Sequence, residues 1–301
     1  CSSLFTFFLF VKVPLFSRIY RENYRSLQRG KLFSFGAILR NICNLGFNLL
    51  TAFVIDRGHY RWVLAGYAIF ILLSAIACFL IPSERFDSPT SMAQKKSRLP
   101  QWGFVLRDRL FLYICLAWYF LGFGNLALVP MRVEFILDRG SLSPLQLVLI
   151  LQILPGLIRS VGTVFGGKLF DRLPLLWFRI GTNFIFMTAT ILFFQSVSWA
   201  GLIAGMITFG LAEIGAWFIW NLWVTHLAPN KESVDTYMGV HAFLNGTRGL
   251  LGPFIVYALL DSSWVGSYGI RGLSWLAVGS MFLSTLMFLS MAGNRRVNLR
   301  R

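Results

Sequence analysis

One carboxylate, Glu213, falls deep inside an apolar run of this chain, and Trp217, Trp220 and Asn221 follow it at the spacing of one helix face. Gln152, Gly156, Arg159 and Thr163 repeat in the same way, as do His241, Asn245 and Arg248. An ionisable group in hydrocarbon is costly unless it is paired or hydrated, so each of these stripes is a candidate site. A carboxyl at that depth can exchange a proton for a cation partner. Glu213 is therefore a candidate for proton coupling, and the alternative is a permanent structural pair with Arg159 or Arg248. The faces of Trp217, Trp220 and Trp223 suit stacking on an aromatic or cationic ligand. The competing reading is an aromatic belt at a membrane interface.

Other chemistry lacks its signature. The three histidines, His59, His226 and His241, show no HExxH spacing, and no G-x-S-x-G elbow supplies a nucleophile. No G-x-x-x-x-G-K-[ST] loop is present for direct use of ATP. An intramembrane protease or lipid transferase is thus disfavoured, and neither a cofactor nor a metal site is read from the sequence. Cys1, Cys43, Cys78 and Cys115 form no CxxC pair and read as small buried apolar residues.

The elements that would position these residues follow from composition. The 301 residues are 56% hydrophobic and only 13% charged, with a mean hydropathy of +0.65. Such a chain cannot cover a water-soluble globule with polar surface, so it is a membrane protein. Uncharged windows run from Leu110 to Met131, Trp62 to Ser83, Gly272 to Asn294 and Ile180 to Ala212. Crossing the hydrocarbon as a helix takes roughly 20 residues. Long unbroken apolar runs argue against a barrel of alternating strands. The expectation is an all-α polytopic bundle of nine transmembrane helices, near 1–15, 33–55, 62–82, 110–130, 144–166, 175–195, 200–224, 237–260 and 272–293.

The stretch SERFDSPTSMAQKKSRLPQWGFVLRDR is the only long polar connection and reads as a linker over 84–109, between a first part at 1–83 and a second at 110–301. Sorting cations by alternate loops places about 20 of the 28 Lys and Arg on one side and about five on the other. The linker and the C-terminus then face the cytoplasm, in a bacterial inner membrane. The net charge of +16 is thereby explained by topology, which leaves little reason to invoke nucleic acid.

A patch of charge interrupts the apolar runs at GTVFGGKLFDRLPLLWFR, residues 162–179. Gly167, Asp171, Arg172 and Arg179 resemble the G-x-x-x-D-R-x-x-x-R/K loop of the major facilitator superfamily, with Pro174 and Leu175 where a glycine is usual and the spacing to Arg179 stretched. APNKESVDTYMGVHAFLNGTRGLLGPF resembles that family's passage from its tenth into its eleventh helix. IYRENYRSLQRGKLFSFGAILRNICNLGF, with Arg29 and Gly30, resembles the passage from the fourth into the fifth. Aligned in this way the chain spans family helices four to twelve, as a truncated fragment: 1–83 is the remainder of the N-terminal half and 110–301 a complete C-terminal half of six helices.

The resemblance implies a secondary transporter that moves a small solute by alternating access, as a monomer in the lipid bilayer, with protons the first candidate for coupling. It implies that the seventh and tenth family helices line the cavity, which makes Trp118, Tyr119, Asn125, Glu213, Trp217, Trp220 and Asn221 cavity candidates, with Gln152 and Arg159 beside them. It also implies that the charged turn latches one conformation, Asp171 facing the positive start of the helix near Lys31 to Ser34. A turn that only fixes topology is the alternative. A non-transporting relative that serves as a membrane binding component is the other functional reading.

Overall fold

The protein is described by a computed structural model covering residues 26–80, 102–229, 233–266 and 268–298. The span expected near 1–15 and most of the 84–109 linker lie outside the described residues. All regular structure among the described residues is helical: α1 (Ser26–Asp56), α2 (Tyr60–Phe79), α3 (Trp102–Val105), α4 (Arg109–Ala127), α5 (Met131–Leu137), α6 (Pro144–Val148), a π turn (Leu149–Ile153), α7 (Leu154–Arg172), α8 (Leu175–Gln195), α9 (Trp199–Leu227), α10 (Val234–Asp261), α11 (Ser263–Gly266), α12 (Gly269–Ser290) and α13 (Arg295–Asn298).

Among the described residues six runs are long and apolar enough to cross a membrane: Arg109–Leu137, Pro144–Thr163, Leu175–Gln195, Trp199–Ala216, Thr236–Asp261 and Gly269–Ser290. α2 carries a shorter apolar run, Tyr60–Ser74. The chain is thus an integral membrane protein built as a helical bundle. The first of the six outruns its expected end at residue 130, because Pro130 caps α5 instead of stopping the helix. A proline lacks only a donor that a helix start leaves unused.

α8 packs against α9 and α12, α4 against α12 and α10, and α7 against α9. One apolar cluster, around Phe111, Trp118, Leu176, Trp223 and Phe288, fills the end of the bundle where α4 and α8 begin and α9 and α12 finish. A second, around Met131, Phe135, Phe186, Phe194 and Met281, fills the other end. Between helices in lipid, small residues and hydrogen bonds supply what the hydrophobic effect cannot. Ser284 Oγ donates to the Ala117 carbonyl at 2.6 Å and Ser280 Oγ to that of Phe120 at 2.7 Å, tying α12 to α4. Gly205 brings α9 against the backbone of α8, where a Cβ would stand 2.7 Å from the Phe193 nitrogen.

α1 crosses the helix formed by α6, the π turn and α7. Leu45 meets Gly156 there: a Cβ on residue 156 would stand 2.9 Å from Leu45 Cδ2, so the leucine side chain would have to shift. On α1, Cys43 is exposed and not buried as expected, whereas Cys115 on α4 is buried.

Candidate functional site

The π turn and Pro155 shape the helix that carries Arg159. Proline at the second position of α7 has no amide to donate and its ring displaces the preceding carbonyls. The helix answers with a wider turn, in which the Leu154 amide reaches back to the Leu149 carbonyl. The extra residue breaks the register on which Gln152 was grouped with Gly156, Arg159 and Thr163, and Gln152 is exposed on the π turn itself.

Beyond the π turn, Arg159 Nη1 lies 2.9 Å from Glu213 Oε2, joining α7 to α9. The two side chains are 30% and 29% exposed. Of the two arginines considered for Glu213, Arg159 is the partner; Arg248 instead donates from Nη1 to the Trp118 carbonyl at 2.8 Å. A second cation interacts with Glu213 electrostatically, Arg132. Arg132 Nη2 donates to Asn125 Oδ1 at 3.3 Å, and its guanidinium lies 3.8 Å from the centre of the Phe209 ring. Asn125 is therefore brought to the same region as Glu213. Arg132 reads as a loop residue while Pro130 is taken as a helix end; the signal that reveals it is its i+7 spacing from Asn125 across that proline.

The tryptophans divide. Trp118 and Trp223 are 5% and 1% exposed, with rings stacked 6.0 Å apart and both edge-on to His241. Trp118 was expected to line a cavity and Trp223 to meet a ligand or the membrane interface; both lie in the core at the end of the bundle, beside a small cleft that they help to line. Trp220 is half-buried, its ring 5.8 Å from His241, and Tyr119 is half-buried. The side chains of Trp217 and Asn221 lie outside the described ones.

The charged turn is shorter than the motif suggested. Gly167 and Asp171 are in the last turns of α7, with side chains outside the described ones, and Arg172 ends the helix exposed. Only Leu173 and Pro174 separate α7 from α8. Arg179 is therefore not part of the loop. It sits inside α8 on the inward stripe Leu176, Arg179, Ile180 and Asn183, is 1% exposed, and lies 3.8 Å from the centre of the Trp118 ring. Periodicity along α8 was the signal for this placement. Lys31 to Ser34, expected at the start of a helix, lie inside α1, which begins at Ser26.

Sequence reading missed a polar cluster at the same end of the bundle. Asp108 caps α4 by accepting from the Phe111 amide at 3.2 Å, and also accepts from Tyr237 Oη at 2.9 Å and Arg296 Nη2 at 3.0 Å. Arg296 Nη2 donates as well to the Leu227 carbonyl at 3.0 Å, closing the end of α9. Burial pushes the Asp108 carboxyl up, but the bonds from Arg296, Phe111 and Tyr237 and the Arg296 charge outweigh it and hold it below the ordinary value of 3.8. A separation of 188 residues hid this pair, and the C-terminal arginines were already accounted for by topology.

Among the described residues no group of three or more His, Cys, Asp or Glu converges to hold a metal ion. The sequence model of the Major Facilitator Superfamily matches residues 11–253, well over half of the chain. No curated protein and no solved structure matches it.

Proposed function

The chain belongs to the Major Facilitator Superfamily, whose members are transporters and not enzymes, and on that premise we propose that it moves a small solute by alternating access, with proton coupling at Glu213. The observation that carries this reading is the Arg159–Glu213 pair. It joins two membrane-depth helices at 2.9 Å, and both partners keep about 30% exposure. A sealed ion pair serves structure alone, while a partly exposed pair can change partners. A proton on Glu213 neutralises the carboxylate and frees Arg159, so the contact between α7 and α9 loosens when the site loads. Arg132 and Asn125 stand beside it as the polar groups that receive the solute. Tyr119, Gln152, Trp217, Trp220 and Asn221 supply further solute contacts.

The halves rock about this site, as in transporters whose substrate binds near the midplane. In this account residues 110–301 form one six-helix half, 1–83 belong to the other and 84–109 link them; the six spans found between Arg109 and Ser290 support this. The turn at Gly167, Asp171 and Arg172 acts as the conformational latch. The bias of Lys and Arg supports a cytoplasmic linker and C-terminus, in a bacterial inner membrane. The protein works as a monomer.

Uptake into proteoliposomes, screened over sugars, amino acids, organic ions and amphipathic drugs under an imposed pH gradient, tests the proposal. Gradient-dependent uptake of one solute class that depends on Glu213 supports it. Uptake indifferent to the pH gradient removes the coupling and leaves the transporter.

A further inference from the structure

Arg179 and Trp223 present an electrostatic deficit away from the Arg159–Glu213 pair. Both are 1% exposed. Among the described residues, Nε, Nη1 and Nη2 of Arg179 and Nε1 of Trp223 have no hydrogen-bond partner, and Arg179 makes no ion pair. The guanidinium rests on the face of Trp118, which is itself stacked against Trp223. A guanidinium keeps its charge in a protein, and an indole N–H only donates. The ring face of Trp118 offsets part of the charge and accepts none of the hydrogen bonds.

The two side chains line one cleft, with Ile114, Leu227 and Phe288 around them and Arg296 beside half-exposed Leu175 at its rim. It holds about 20 Å³ of space for a water-sized sphere, and a single water needs about 10–15 Å³ on that measure. Water would satisfy the indole and leave the positive charge uncompensated. Further cations surround the site: Arg248 is anchored to the Trp118 carbonyl, and the half-exposed Arg296 is held by Asp108. What the cleft lacks is a small acceptor carrying a negative charge.

We propose that Arg179 and the Trp223 indole bind a single chloride-sized anion in this cleft, between the start of α8 and the end of α9. The anion supplies the missing counter-charge and accepts from both donors, tying α8 to α9 where Arg296 and Leu227 close the end of the bundle. The site uses none of the residues of the Arg159–Glu213 pair, so its test is separate from that of transport.

The test is the thermal midpoint of the purified protein in lipid nanodiscs, titrated with chloride against gluconate at constant ionic strength. A saturable rise with chloride is expected, reproduced by bromide and absent with gluconate, which is too large for the cleft. Trp223→Phe keeps a ring and removes one donor, so half-saturation should move to chloride concentrations about tenfold higher or more. Arg179→Gln should abolish the response and leave the midpoint in gluconate no lower than that of the unsubstituted protein. A rise that is linear, shared by gluconate, or unchanged in half-saturation by Trp223→Phe would overturn the proposal. The tryptophan variant decides the matter if the arginine variant fails to fold.

Discussion

Arg159 on α7 and Glu213 on α9 form an ion pair at 2.9 Å within membrane-depth segments, 54 residues apart in the chain. Removing one partner leaves the other charge unpaired, whereas removing both leaves two neutral amides that can bond each other. Arg159→Gln and Glu213→Gln should therefore each destabilise the bundle more than the double variant does. A double-mutant cycle in unfolding free energy should give a coupling of about 1 kcal/mol, in the lower part of the range for contacting residues because the pair is partly exposed. A coupling near zero would mean that the contact contributes no stability.

Gly122 on α4 leaves the space that the Arg248 guanidinium fills, and a Cβ there would overlap it. Gly122→Ala should push Arg248 off the Trp118 carbonyl and cost about 1–3 kcal/mol. Gly252→Ala on α10 is the control, because its nearest neighbour, Ala127, would stand 3.9 Å away. Thermal midpoints of the two variants side by side check this, with only the first expected to fall.

Asp108 sets a pH dependence whose sign follows from its lowered carboxyl. A group with a folded-state value below its unfolded one adds stability that is fully present above the unfolded value, near 3.8 here, and lost as pH falls through the folded value. Asp108→Asn should lower the midpoint at neutral pH and converge with the unsubstituted protein in strongly acidic solution, below about pH 4. Melting curves across that window decide it; a gap that persists under acid would show that the carboxylate charge is not what matters.

Asp171, in the last turn of α7, is the residue on which the proposed latch rests. Neutralising it with Asp171→Asn should shift the balance between inward- and outward-facing forms, read by labelling of single cysteines placed on either side of the cavity. Unchanged labelling would reduce the turn to a topological marker.

The six spans between Arg109 and Ser290 were legible because each requires only an apolar run of sufficient length, and α8 was read at its observed bounds, Leu175–Gln195; the spans expected near 33–55 and 62–82 are not among the six. Glu213 was legible for the same reason: a lone carboxylate in such a run stands out. Its choice of Arg159 over Arg248 was not, since that depends on how α7, α9 and α10 rotate, and a π turn before Arg159 alters one of those rotations. Arg179 was misplaced because the motif reading extended the loop past Pro174, although a 3.6-residue period from Leu176 puts it inside. Arg132 was hidden behind Pro130, and the Asp108–Arg296 contact by its span of 188 residues. In each case the missing information was a helix rotation or a long-range packing contact, which composition and local spacing do not encode.

In the proposed mechanism Glu213 exchanges a proton as solute moves. Solute accumulation and proton flux measured together in proteoliposomes, for the unsubstituted protein and for Glu213→Gln, test it most directly. In the unsubstituted protein, solute addition should drive proton movement and accumulation against a gradient. In the variant both are lost, while exchange of internal for external solute continues because the neutral side chain mimics the protonated state. Accumulation driven by the pH gradient at an undiminished rate in Glu213→Gln would contradict it.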